Sequence, residues 1–141
     1  MVLTQDSAVI CVDDDESILS ALSVQLQKLV DTEKVLVEYY LNPEDALASI
    51  PEIIDLKIKV IFVLTDYQMP RMTGAEFLKK LKSIYPDIHC IMLSGQANDE
   101  IVENLISENL LDYFVSKPWS EEQLLDKIKL IVPSDKLVLK R

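Results

Sequence analysis

Hydrophobic residues along this chain fall into two kinds of segment that alternate. The first kind is a short, continuous apolar run, often rich in β-branched residues. Five such runs occur, at residues 8–12 (AVICV), 35–40 (VLVEYY), 60–64 (VIFVL), 89–93 (HCIML) and 113–115 (YFV). Continuous apolar runs of this length are typical of strands that are buried on both faces of a parallel sheet.

Between these runs, apolar residues recur every three or four positions, which is the period of an amphipathic helix. One stripe comprises Ile18, Leu22, Leu26 and Leu29, and further stripes begin at Phe77, Ile101 and Leu124. Residues suited to helix N-termini precede three of the helices: Asn42 with Pro43, and the capping-box pairs Thr73 with Glu76 and Ser120 with Gln123. Strand and helix alternate five times, so the sequence predicts an α/β fold with a parallel five-stranded sheet.

The length of 141 residues, 49% of them apolar, fits one domain with a single packed core. We expect that domain to span residues 1–132, because Pro133 ends the last predicted helix. Residues 133–141 then form a tail, which is either a short extra segment or the start of a linker to a second domain.

A net charge of −10 argues against non-specific binding to nucleic acid or to anionic membrane surfaces, because both bind to positively charged protein surfaces. No apolar stretch approaches the roughly 20 residues that span a bilayer. Cys11 and Cys90 both lie inside apolar runs, and we expect buried thiols in a reducing compartment. These features predict a cytoplasmic protein.

Glycine is too scarce for the common nucleotide-binding loops of α/β proteins. Gly74 and Gly95 are the two glycines of the chain. A dinucleotide fingerprint needs three clustered glycines, and a P-loop needs two glycines and a Gly-Lys step. The sequence therefore excludes both motifs.

Polar side chains follow four of the five predicted strands. Asp13, Asp14 and Asp15 come directly after the first strand, and Asp66 follows the third. Ser94 follows the fourth strand, and Lys117 stands just beyond the fifth. Ligands of open parallel sheets bind at the carboxyl ends of the strands, so we expect these side chains to form one site.

This set of side chains suits metal-assisted phosphoryl transfer. Clustered carboxylates repel one another unless a cation is present, and oxygen ligands without histidine or thiolate favour Mg²⁺. The one histidine, His89, lies inside a strand run and is expected in the core or at the sheet edge. With its neighbours neutralised, Asp66 could act as a nucleophile and form an acyl phosphate. Mg²⁺, the hydroxyl of Ser94 and the ammonium of Lys117 could stabilise the three phosphoryl oxygens.

With these residues the sequence resembles the receiver domains of response regulators in two-component signalling. The matching pieces are VDDD at residues 12–15, TDYQMPRMTG at 65–74, LSG at 93–95 and SKP at 116–118. They occur in the family's order and at similar separations, and the resemblance covers roughly residues 7–132. It implies a flavodoxin-like (βα)₅ sandwich with the strand order 2-1-3-4-5.

The resemblance also implies residue roles. Asp66 would be the phosphoacceptor, which takes a phosphoryl group from the phosphohistidine of a histidine kinase or a phosphotransfer protein. Asp13, Asp14 and Asp66 would hold Mg²⁺ (or Mn²⁺), together with the backbone carbonyl of Gln68, and Asp14 would be a more direct ligand than Asp13.

Further roles concern the switch between two states. Ser94 would be the switch hydroxyl, Lys117 would pair with the phosphoryl group, and Phe114 would be the switch aromatic, although tyrosine is commoner at that position. Pro118 would follow Lys117 through a cis peptide bond. The surface of the fourth helix, fifth strand and fifth helix would change on phosphorylation and bind a partner, an output domain or a second copy.

The implied function is a signalling switch and not an enzyme, apart from its own phosphorylation and dephosphorylation. The sequence looks like receivers that are linked to phosphodiesterase or transcription-factor modules. Two alternatives remain open. One is a receiver-like binding module whose binding does not depend on phosphorylation. The other is a haloacid-dehalogenase-like phosphatase, which would require an aspartate at position 68, where this chain has Gln68.

Overall fold

A central parallel sheet organises the fold. In this computed structural model, which describes residues 4–95 and 97–138, the sheet has five strands: β1 (Ser7–Val12), β2 (Val35–Tyr40), β3 (Lys59–Thr65), β4 (His89–Ser94) and β5 (Tyr113–Ser116). Their spatial order is β2-β1-β3-β4-β5, and every pairing is parallel. This arrangement confirms the predicted flavodoxin-like topology.

Five helices connect and follow these strands: α1 (Glu16–Leu29), α2 (Pro43–Asp55), α3 (Gly74–Ile84), α4 (Asp99–Ser107) and α5 (Glu121–Ile131). The predicted caps are all present. Asn42 accepts a hydrogen bond from the backbone of Asp45 at the start of α2. Thr73 with Glu76, and Ser120 with Gln123, form complete capping boxes at α3 and α5. Each cap satisfies backbone donors that the first helical turn leaves without a partner.

Two hydrophobic layers cover the two faces of the sheet. Helices α2, α3 and α4 pack on one face, where Ile50, Phe77 and Leu105 belong to one buried cluster. Helices α1 and α5 pack on the other face, where Leu22 and Ile128 belong to a second cluster. Burial on both sides explains why the central strands are continuous apolar runs.

Strand β2 departs from the prediction of a strand buried on both faces. Only Val35 is buried in it, and the remaining residues are half-buried. The physical reason is its place at the edge of the sheet, where β1 is its one neighbouring strand and covering helices leave part of it open. The tyrosines that end this strand suit such a half-exposed surface.

Residues of the tail fold back onto the domain. After α5, a short 3-10 helix (Ser134–Lys136) leads to an antiparallel bridge between Val30 and Leu137. The Lys136 ammonium donates hydrogen bonds to both carboxylate oxygens of Asp6, at 2.6 and 2.7 Å. Residues 139–141 of the predicted tail lie outside the described residues.

The remaining fold predictions concern the cysteines and membrane spans. Cys11 and Cys90 are both free thiols and are buried, as expected. Burial raises the pKa of both thiols, which makes the reactive thiolate form unfavourable. Within residues 4–95 and 97–138, no helix has the length and apolar character that crossing a bilayer requires.

Candidate functional site

The backbone around Asp66 is held on both sides. Its amide donates to the carbonyl of Val12 at 3.0 Å, which ties the end of β3 to the end of β1. Its Oδ1 atom accepts a hydrogen bond of 2.8 Å from the amide of Tyr67. The residue is 6% exposed, so the fold presents this carboxylate in one orientation at the carboxyl end of the sheet.

The loop after Asp66 returns to the start of α3 through a close approach at Gly74. The Gly74 amide donates to the carbonyl of Tyr67 at 2.7 Å. A Cβ atom at position 74 would overlap the carbonyl oxygen of Asp66, so a glycine is required here. The loop also contains Arg71 with a positive φ of 70°, beside a hydrogen bond from the Met72 amide to the Pro70 carbonyl. This tight turn closes the loop that contains Met69 and Pro70.

Three carboxylates converge beside this loop. Asp13, Asp14 and Asp66 each offer an oxygen atom, and these atoms all lie within 4.8 Å of one another. Asp13 is 1% exposed, whereas Asp14 is open to solvent. The Oδ1 atom of Asp13 accepts a hydrogen bond of 2.9 Å from the amide of Asp15. Asp15 in turn caps α1, since its carboxylate accepts from the amide of Ser17.

Lys117 supplies the positive charge of the cluster. Its Nζ atom lies 2.7 Å from Oδ2 of Asp13 and 3.3 Å from Oδ2 of Asp66. It reaches them from the end of β5, and the peptide bond between Lys117 and Pro118 is cis, as expected. One ammonium therefore serves two buried carboxylates.

The electrostatics of the cluster follow from burial and from this sharing. Burial raises the pKa of the Asp13 carboxyl above its usual value, and the hydrogen bond from Lys117 only partly opposes that effect. Burial alone would lower the pKa of Lys117. Its hydrogen bond to Asp13 and the charges of Asp13 and Asp66 outweigh burial, so the pKa of the ammonium is raised. Lys117 therefore stays charged at neutral pH.

These side chains line a cleft of about 430 Å³ at the carboxyl edge of the sheet. The lining consists of Asp13, Asp14, Asp15, Asp66, Gln68, Gly95 and Lys117. The structure thus brings together the predicted phosphoacceptor, the three predicted acidic metal ligands, Gln68 and the predicted lysine. Hard oxygen ligands around one basic group give the cleft the chemistry of a divalent-cation and phosphoryl site.

Ser94 and Phe114, the two predicted switch residues, lie behind this cleft. Ser94 is buried at the end of β4, and its carbonyl accepts a hydrogen bond of 3.1 Å from the amide of Lys117. Phe114 pairs in register with Met92 and packs, half-buried, against the core under α2, α3 and α4. The structure does not place Phe114 among the residues that line the cleft.

Two contacts near the site did not follow from the sequence. The shortest contact of Lys117 is with Asp13, although the sequence predicted a role for the lysine at the phosphoryl group. Trp119 donates through its indole nitrogen to Gln25 of α1 at 2.7 Å. Both contacts join residues about 100 positions apart, and the choice of side-chain partner at that range has no local sequence signal.

His89 begins β4 at the end of the sheet opposite the cleft, and it is exposed. Its Nδ1 atom lies 3.5 Å from a carboxylate oxygen of Asp112. His89 was expected in the core or at the sheet edge, but it is exposed and stands at the start of an inner strand.

Comparison with known proteins shows which family this chain belongs to. The family model "Response regulator receiver domain" matches residues 9–129. The chain is 34% identical over 117 residues to the transcriptional regulatory protein FlgR of Helicobacter pylori, covering 83% of this chain and 27% of that protein. It is 30% identical over 125 residues to the response regulator protein TmoT of Ectopseudomonas mendocina, covering 89% of this chain and 52% of that protein.

A solved structure has the same architecture. The response regulator receiver domain protein (CheY-like) of Methanospirillum hungatei is 28% identical, with a TM-score of 0.73. The match covers 88% of this chain and 91% of that one. In contrast, the chain spans about half or less of the length of the curated regulators named above.

Proposed function

The chain belongs to the response regulator receiver family of two-component signalling, and from that premise we propose that Asp66 is its phosphoacceptor. The donor is the phosphohistidine of a histidine kinase or of a phosphotransfer protein. The observation that carries this proposal is the position of Asp66, which is fixed at the end of β3 in a cleft with two further acids and a lysine.

The transfer forms one bond and breaks another. A carboxylate oxygen of Asp66 bonds to phosphorus while the P–N bond to the donor imidazole breaks, and the imidazole leaves with that electron pair. The Tyr67 amide holds Oδ1 of the carboxylate, and Lys117 lies 3.3 Å from Oδ2. These two contacts orient the nucleophile before the donor arrives, and the ammonium also offers a positive charge to a phosphoryl oxygen.

The acidic cluster fits a divalent cation. Asp13, Asp14 and Asp66 present oxygens close enough to share one ion, and Gln68 lines the same cleft and could add its backbone carbonyl. A donor set made only of oxygens favours Mg²⁺ or Mn²⁺ over the softer transition metals. When bound, the ion supplies positive charge that neutralises the carboxylates and the phosphoryl oxygens.

Phosphorylation adds about −1.5 to −2 charges and three acceptor oxygens at Asp66. Lys117 then has a stronger anionic partner than Asp13, and its amide is already bonded to the carbonyl of Ser94. A shift of Lys117 is therefore transmitted to the end of β4, where the Ser94 hydroxyl turns toward the phosphoryl group. Phe114 repacks in the same core layer, and the surface of α4, β5 and α5 changes.

This surface controls a partner protein or an attached output domain. Receiver domains act as phosphoacceptor signalling domains, and the only chemistry in this proposal is the chain's own phosphorylation and dephosphorylation. The relatives FlgR and TmoT are named as a transcriptional regulatory protein and a response regulator. An output in the control of transcription is consistent with those names, without direct contact of this acidic chain with nucleic acid.

Intact-mass spectrometry tests the proposal. The wild type and two variants, Asp66→Asn and Asp87→Asn, are each incubated with acetyl phosphate and Mg²⁺. Asp87→Asn is the matched control, because Asp87 is an exposed aspartate outside the cleft. The wild type and the control should gain about 80 Da, one phosphoryl group, and the gain should vanish with Asp66→Asn or with a chelator.

The negative outcome is equally informative. The phosphoacceptor proposal would be refuted if the wild-type protein gained no mass under conditions in which a known receiver gains one phosphoryl group. It would favour the phosphorylation-independent binding module instead. Steady release of phosphate from small phosphate esters would revive the phosphatase alternative, which neither the family match nor Gln68 supports.

A further inference from the structure

Charge is strongly segregated between two neighbouring helices. Helix α3 carries Lys79, Lys80 and Lys82 against one acid, Glu76. Helix α4 carries Asp99, Glu100 and Glu103 and no basic residue. The segregation extends beyond the helices, since no lysine or arginine occurs between Lys82 and Lys117.

These two helices share one face of the sheet and run in the same direction. Helix α3 connects β3 to β4, and α4 connects β4 to β5, so each crosses over adjacent parallel strands. Leu81 of α3 and Leu105 of α4 belong to the same buried cluster, which confirms that both helices lie on one face. A basic strip and an acidic strip therefore lie side by side on one surface, which we call the α3–α4 face.

Two charges of this face are used within the molecule, since Glu76 belongs to the capping box of α3 and Lys82 donates to the carbonyl of Pro86 at 3.4 Å. Lys79, Lys80, Glu100 and Glu103 are all exposed, and among residues 4–95 and 97–138 none of these four side chains forms an ion pair. Each helix also has an exposed isoleucine in its last turn. Ile84 of α3 is 63% exposed and Ile106 of α4 is 45% exposed. The face thus combines unpaired charges of both signs with apolar contact area.

We propose that the α3–α4 face binds the same face of a second copy of this chain. A two-fold axis that lies parallel to the two helices and between them places α3 of each copy against α4 of the other. The basic strip then meets an acidic strip twice, as an isologous interface requires. This inference does not depend on the proposed phosphorylation of Asp66.

The charge pattern favours a second copy over a different partner. A uniformly acidic partner would be attracted to α3 but repelled by α4, and a uniformly basic partner would show the reverse. A copy of the chain has both strips at the matching separation. The surface of α4, β5 and α5 is a poorer place for self-association, because its charges are predominantly acidic: Asp99, Glu100, Glu103, Glu108, Glu121, Glu122 and Asp126 against Lys127 and Lys129.

The interface should be weak and sensitive to salt. The chain exposes 7840 Å² in total, and a standard interface takes roughly a tenth of a small protein's surface from each partner. Two exposed helix faces can supply an area of that order. The contacts are mainly exposed charges, which contribute little each and are screened over about 10 Å at 0.1 M salt.

Sedimentation equilibrium of the full chain tests the proposal, at low salt and at high salt. We expect a monomer–dimer equilibrium whose Kd rises about tenfold or more between 25 and 250 mM NaCl. Two charge reversals should each abolish it: Lys79→Glu with Lys80→Glu, and Glu100→Lys with Glu103→Lys. An equimolar mixture of the two variants should restore a dimer, because acidic α3 then meets basic α4 and the unaltered strips still match.

Lys28→Glu with Lys129→Glu is the matched control for the lysine reversal, since it makes the same change in net charge on the opposite face of the sheet, and it should leave the dimer intact. A wild type that stays monomeric at low salt and high concentration would overturn the proposal. So would a dimer that survives both reversals, or one that the control abolishes. Circular dichroism confirms the fold of each variant, and failure of two folded variants to form the mixed dimer also counts against the α3–α4 face.

Discussion

Replacing Lys117 by methionine tests the electrostatic account of the cleft. Methionine keeps most of the side-chain volume but removes the ammonium that Asp13 and Asp66 share. Both carboxylates then face each other without a positive partner. We expect the variant to remain folded but to be clearly less stable, because an uncompensated buried charge is costly.

The magnitude follows from burial. Removing one member of a buried ion pair costs roughly 3–5 kcal/mol of unfolding free energy. The side chains of Asp13 and Lys117 are 2% and 19% exposed, and the cleft is open to water on one side. We therefore take the lower end, about 3 kcal/mol, which at a urea slope of about 2 kcal/mol/M lowers the unfolding midpoint by about 1.5 M.

Urea unfolding followed by circular dichroism measures this difference, in buffer that contains a chelator. Lys129→Met is the control, since Lys129 is exposed and forms no ion pair in the part of the chain that the structure describes. It should change the midpoint by less than about 0.3 M. The double variant Asp13→Asn with Lys117→Met should be less destabilised than the sum of the two single variants, because both charges of the pair are gone. Additive effects, or a midpoint of Lys117→Met equal to that of the wild type, would show that Lys117 is not paired as described.

The remaining predictions concern the loop after Asp66 and the tail. Gly74→Ala should destabilise the fold by about 1–3 kcal/mol, because its Cβ would overlap the Asp66 carbonyl, whereas Gly95→Ala meets only ordinary contacts and should stay within about 0.5 kcal/mol in the same urea assay. The hydrogen bond from Lys136 lowers the pKa of Asp6, so this pair supports docking of the tail above the ordinary carboxyl pKa and loses that effect as the pH falls below about 4. Amide hydrogen exchange should show the tail loosening over that range in the wild type, and a Lys136→Met variant should show no such transition.

The fold could be predicted from the sequence because several local signals agree. Apolar runs located the five strands to within one residue at each end, and the capping pairs before α3 and α5 located both helix starts. The site could be predicted because Asp13, Asp66 and Lys117 each stand directly after a strand, and parallel strands end at one edge. Such positional rules need no knowledge of long-range packing.

The features that escaped prediction depend on packing between distant segments. The bridge between Val30 and Leu137 joins residues that no periodicity relates. The preference of Lys117 for Asp13 over Asp66 depends on the geometry of three strand ends. The half-burial of β2 depends on which strand lies at the edge of the sheet, and an apolar run alone does not contain that information.

The charge balance around Lys117 contributes little to stability but suits the proposed switch. Asp13, Asp14 and Asp66 carry three negative charges when ionised, and Lys117 returns one positive charge. These four side chains together have an excess of two negative charges, which matches one divalent cation. Buried ion pairs add little to stability compared with apolar packing. Two carboxylates that share one lysine allow Lys117 to exchange partners, as the proposed phosphorylation of Asp66 requires.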